Sequence, residues 1–120
     1  MRQYQLFING EFLPNANRKM IDVINPATEE TISQIPAGTV DDCNAAVQAA
    51  ETAQKSWAKL PAIQRANHLR ELATLIRQNA ESLARTISEE QGKVLGLSRV
   101  EVFFTADYID YMAEFERDHA

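Results

Sequence analysis

Cysteine is nearly absent from this chain: Cys43 is the only one in 120 residues. No internal disulfide can form, so packing must hold the fold, and a lone thiol fits a reducing cytoplasm. Glycine is scarce too. Gly10, Gly38, Gly92 and Gly96 are scattered, which excludes a Gly-x-Gly-x-x-Gly turn, a phosphate loop and a Gly-x-Ser-x-Gly elbow. Positive charge is in deficit, with 12 Lys and Arg against 17 Asp and Glu and a net charge of −5, so a nucleic-acid partner has no electrostatic footprint. No apolar run approaches the roughly 20 residues that cross a bilayer. The start, Met1 to Leu6, lacks the apolar core of a signal peptide. No membrane partner is expected.

What is present suits one domain with a modest core: hydrophobic residues make up 45% and charged residues 24%. Leu6-Phe7-Ile8, Asn9-Gly10 and Phe12-Leu13 read as strand, tight turn and strand. A second hairpin pairs Met20–Ile24 with Thr31–Ile35 across Asn25-Pro26-Ala27-Thr28-Glu29-Glu30, and Pro36 ends it. From Thr39 the period turns helical. Thr39 is a candidate N-cap with Asp42 as its capping-box partner, and Ala46, Ala49, Ala50, Ala53 and Trp57 form the predicted inner face. A second helix starts at Pro61 with Ile63, Ala66, Leu69, Leu72, Ala73 and Ile76 inward. A third runs from about Ala80 to Glu90, with Leu83, Ala84 and Ile87 inward, and stops at Gly92. Trp57, Leu60 and Ile63 are expected to form core at a helix corner. The last and longest helix begins near Leu95 to Ser98. Its stripe of Val100, Phe104, Tyr108, Tyr111 and Phe115 must be covered, in part by this chain. Asp107, Asp110 and Glu114 read as its charged outer face. The fold class is therefore α+β and mostly helical, two β-hairpins (1–38) followed by four helices (39–120).

The residues show no catalytic set. Cys43 sits one turn into a helix beside Asp41 and Asp42 with no base nearby, and reads as an inert thiol. His68 reads as an exposed helical residue. Glu116 and His119 have the Glu-x-x-His spacing of di-iron bundles, but a second copy is missing, because Arg65 precedes His68. A reading from the residues alone stops at a helical domain with surplus aromatic surface, which is also what a free-standing interaction or dimerisation module would show.

Motif order carries the argument further. Ile8-Asn9-Gly10-Glu11-Phe12, then Val23 to Glu30, resemble the opening of NAD(P)-dependent aldehyde dehydrogenases. So do Ala45 to Ala50 with Trp57, Leu60-Pro61 through Arg65-Ala66, Glu90-Gln91-Gly92-Lys93 and Tyr111-Met112-Ala113. The run Thr105 to Glu114 is most similar to the lactaldehyde/glycolaldehyde branch. The resemblance implies a fragment of that fold, the N-terminal part of the dinucleotide-binding domain over 1–120, from enzymes about four times this length. Their nucleophilic cysteine, general-base glutamate and dinucleotide-binding residues fall beyond position 120, so no catalytic or cofactor-binding residue is expected here.

For the complete enzyme the resemblance implies oxidation of an aldehyde to a carboxylic acid with NAD or NADP. The fragment alone is expected to be inactive and cofactor-free. The resemblance assigns a structural monovalent cation to the Ile24 carbonyl and the Glu90 carboxylate, and a place at the substrate entrance to Phe104. A cytoplasmic homo-oligomer formed through exposed apolar surface is expected.

Overall fold

The computed structural model describes residues 1–118, and side chains as far as Phe115. The chain divides into two compact units, Met1–Ala58 and the segment from Lys59 onward. Each is described by itself.

The first unit holds five strands and a helix: β1 (Arg2–Gln3), β2 (Phe7–Ile8), β3 (Glu11–Phe12), β4 (Met20–Ile24), β5 (Thr31–Pro36) and α1 (Val40–Trp57). β2 and β3 form the first predicted hairpin. Asn9 (φ 55°) and Gly10 (φ 79°) both take the left-handed conformation that a tight two-residue turn demands. Across it Phe7 meets Phe12, with ring centroids 4.8 Å apart. β4 and β5 form the second hairpin. Asn25 Oδ1 accepts from the Ala27 amide at 2.9 Å, and Glu29 (φ 63°) completes the turn. β1 was not expected; it pairs in parallel with β5 and extends the second hairpin to a three-stranded sheet, β1-β5-β4. A two-residue strand is too short to show alternation.

α1 opens on the predicted capping box: Thr39 Oγ1 accepts from the Asp42 amide, and the Asp42 carboxylate accepts from the Thr39 amide. Arg18 adds a two-pronged bond to the same carboxylate, at 2.7 and 3.1 Å. Arg18 first, then the Thr39 amide and hydroxyl, hold the Asp42 carboxyl well below the usual carboxylate range. The alanine face of α1 is not core. None of its residues is buried, and Ala46, Ala49, Ala50 and Ala53 instead line an open recess of about 340 Å³ with Phe7 to Gly10.

The second unit is all helix: α2 (Ala62–Gln78), α3 (Ala80–Gln91) and α4 (Leu95–Asp118). Gly92, at φ 68°, caps α3 in the left-handed conformation that an added Cβ disfavours. The most extensive packing is α2 on α4. Arg70 pairs with Glu114, and Arg77 with Asp107 and Asp110, so numbering rises along one helix as it falls along the other and the pair is antiparallel. The buried residues are mostly small: Ala66 and Ala73 on α2, Ala80 and Ala84 on α3, and Ser98, Val102, Ala106 and Ala113 on α4. Several large residues predicted to point inward do not. Trp57 is 39% exposed and Ile63 56%, and Leu72 and Leu83 are also exposed.

Candidate functional site

α4 carries three longitudinal faces, set by about 3.6 residues per turn. Its inner face is Ser98, Val102, Ala106 and Ala113, all buried. Ala66 and Ala73 of α2 stand seven residues apart, as do Ala106 and Ala113 of α4. Small side chains at that interval allow two helix backbones to approach closely. Toward the start of α4, Val102 packs with Ala80 and Ala84, flanked by Ile76, Ile87 and Leu95. The buried Ser98 hydroxyl lies 2.8 Å from that of Ser88, which satisfies both polar groups.

Beside the inner face runs a row of carboxylates. Arg77 Nη2 donates to Asp107 Oδ1 and to Asp110 Oδ2, each at 2.7 Å, and Arg70 donates to Glu114. Asp107 and Asp110 raise the Arg77 pKa, so its charge is permanent. The row is exposed, as expected of a charged outer face, and it also meets the α2 arginines. Between α4 and α3, Arg99 forks onto Glu81 at 2.8 and 2.9 Å and holds that carboxyl below its ordinary value.

The third face is the aromatic stripe. It is covered only in part: Phe104 is 68% exposed, Tyr108 56% and Tyr111 63%, and Val100 and Phe115 are exposed as well. Tyr108 and Tyr111 stack loosely on each other, with centroids 6.5 Å apart. The physical reason lies on the opposite face, where Ala106 and Ala113 give α2 a closer seat than phenyl rings would.

The other candidate residues belong to both units. Ile24 ends β4 at a register irregularity and is half exposed; Glu90 stands exposed near the end of α3 in the other unit. Cys43 and His68 are exposed on α1 and α2. His119 and the Glu116 side chain lie outside the described residues. Among the described residues, no group of three or more His, Cys, Asp or Glu is placed to hold a metal. Arg70 and Arg77 were missed in the sequence. Their seven-residue spacing, matched to Ala66 and Ala73, was the available signal. Chemically, the described residues of the second unit offer an apolar wall on a braced helix.

Comparison with known proteins gives this arrangement a context. The aldehyde dehydrogenase family profile matches residues 12–120. Lactaldehyde dehydrogenase of Escherichia coli (strain K12) is 50% identical over 115 residues, covering 96% of this chain and 24% of the relative. A crystal structure of lactaldehyde dehydrogenase from Escherichia coli superposes with a TM-score of 0.94 at 48% identity, over 98% of this chain and 25% of that one. A structure of 3,6-anhydro-L-galactose dehydrogenase in complex with NAP follows at 0.90 and 38% identity, over 95% and 24%. The chain thus spans about a quarter of the length of its relatives.

Proposed function

The chain belongs to the aldehyde dehydrogenase family, and from that premise we propose that it is the N-terminal quarter of an enzyme that oxidises a small hydroxyaldehyde such as lactaldehyde to its carboxylic acid with NAD or NADP. The observation that carries this is the 50% identity to lactaldehyde dehydrogenase over 96% of the chain. A free-standing interaction module would have no reason to keep that match from end to end. When bound, the dinucleotide accepts a hydride from the substrate carbon. These 120 residues contain no glycine-rich turn to cradle its phosphates, so their contribution is scaffold and wall.

In this reading residues 1–120 are the N-terminal part of the dinucleotide-binding domain, and the Phe104 face of α4 borders the substrate entrance. The Ile24 carbonyl and Glu90 carboxylate are hard oxygen donors offered to a monovalent cation, completed by ligands from the rest of the enzyme. The enzyme works in the cytoplasm as a homo-oligomer. No described helix is long and apolar enough to cross a membrane.

The test is an assay of the full-length gene product for reduction of NAD and NADP with lactaldehyde, glycolaldehyde and succinate semialdehyde. Turnover of the hydroxyaldehydes is expected, and none from residues 1–120 alone. Preference for the semialdehyde would move the protein to another branch, and turnover of no aldehyde would end the reading. For the cation, Glu90→Gln should remove any difference in thermal stability between potassium and a large organic cation. An enzyme that shows no such difference to begin with refutes that assignment.

A further inference from the structure

The α2–α4 seam is smooth. Its buried alanines present single methyl groups, which permit close approach but interlock poorly, so they leave the roll of α4 about its own axis weakly specified. Something else must set that roll, because it decides where Phe104, Tyr108 and Tyr111 point. Toward the start of α4, the Ser88–Ser98 hydroxyl pair and the Arg99–Glu81 fork fix it against α3. Toward its end, Arg77 ties Asp107 and Asp110, and Arg70 ties Glu114, to α2. The carboxylates of Asp107 and Asp110 lie between the buried seam and the aromatic face, where a tether has the most leverage on rotation.

We propose that Arg77 is a positioning residue for the substrate entrance: by holding Asp107 and Asp110, one helical turn apart, on a single guanidinium nitrogen, it sets the roll of α4 and so the direction of the Phe104–Tyr111 wall. This rests on the reading that the aromatic face of α4 borders that entrance. The pairs are solvent-exposed, with Asp107 72% exposed, so their contribution to stability is small and their role is directional. A helix that rolls displaces its wall residues relative to the substrate, and discrimination between large and small aldehydes registers this, even far from the reacting carbon.

The experiment uses the full-length enzyme with Arg77→Met, which keeps the stem and removes the charge, and with the double variant Asp107→Asn, Asp110→Asn, which removes the tie from its other end. The readout is the ratio of kcat/KM for lactaldehyde to that for acetaldehyde, a ratio unaffected by the fraction of enzyme folded. Both variants should shift the ratio in the same direction by roughly threefold to tenfold, through KM more than kcat, with an unfolding midpoint close to that of the parent. Arg77→Lys, which keeps a cation on a flexible stem, should recover part of the shift. An active enzyme whose ratio is unmoved in both variants overturns the proposal, as does a loss of stability without a change in ratio. Hydrogen exchange along Phe104 to Phe115 supplies a readout that needs no activity. Faster exchange there in Arg77→Met, with Leu95 to Arg99 unchanged, is required, and equal exchange overturns the tie itself. Should the parent turn over no aldehyde, it is the enzyme reading that falls, and the exchange experiment still decides whether Arg77 holds the helix.

Discussion

Replacing Ala73 by leucine should be among the most damaging single changes available in the second unit. Ala73 has no exposed surface and sits on the α2 face that seats α4. Leucine adds three carbons where the structure leaves no room, so either α4 lifts off or neighbouring side chains leave their rotamers. Overpacking of this kind costs about 1–3 kcal/mol. Lifting α4 also pulls on the arginine ties on the same shoulder, which places the expectation near the upper part of that range. Ala73→Ser, nearly the same volume, should cost roughly 1 kcal/mol or less, since a helical hydroxyl can bond the preceding turn. Ala73→Gly should cost about 1 kcal/mol through helix propensity. Gln64→Leu, an exposed site on the same helix, should stay within about 0.5 kcal/mol. The assay is urea unfolding followed by far-ultraviolet circular dichroism at several protein concentrations, which separates folding from self-association through the aromatic face. With a slope of about 1.5 kcal/mol/M, a loss of about 2 kcal/mol lowers the midpoint by roughly 1.3 M. A midpoint for Ala73→Leu equal to that of Gln64→Leu would refute the close-packed seam, whatever the other variants did.

Two further outcomes follow from local chemistry. The Asp42 carboxyl has a folded-state pKa below its unfolded value of about 3.9. Its stabilisation is therefore present above that value and is lost as pH falls from about 4 toward the folded-state pKa. The thermal midpoint of the parent should fall through that window more steeply than that of Asp42→Asn, which should already be lower at neutral pH; parallel curves would count against the Arg18–Asp42–Thr39 cluster. At Gly92, where φ is 68°, alanine should cost about 1 kcal/mol and asparagine less. Equal urea midpoints for Gly92→Ala and Gly92→Asn would show that α3 does not rely on a left-handed cap.

Where local chemistry governs, the sequence was readable. Asn9-Gly10 specified a turn, Thr39 and Asp42 a helix start, and Gly92 a helix stop, and each was found where its residue types placed it. These signals depend on a few neighbouring atoms and need no knowledge of the rest of the chain. β1 was invisible because two residues carry no period, and its partner β5 lies about thirty residues away. The arginine ties were missed for a related reason. Arg70 and Arg77 on one helix, and Asp107, Asp110 and Glu114 on another, look like two solvated faces until an antiparallel seam brings them together.

The aromatic stripe of α4 shows why periodicity identifies a face but not its neighbour. The rule that the apolar stripe turns inward assumes a helix with one partner. α4 has two apolar faces of different kinds, a small-residue face that α2 occupies and a large-residue face whose rings at Phe104, Tyr108 and Tyr111 are more than half exposed. Between them, close approach selects the small face for the helix that is present. The large face has three rings more than half exposed in one strip, the kind of contiguous apolar surface that marks a contact site. Relatives about four times as long superpose on this segment with hardly any distortion, so the fold of α4 does not change to suit its own exposed rings. A helix whose conformation is complete but whose large apolar face stays exposed is suited to contacts made beyond its own unit. The same reasoning makes the isolated 120 residues a poor judge of what the stripe binds, and the full-length protein, with the Arg77 tie intact or cut, the right place to ask.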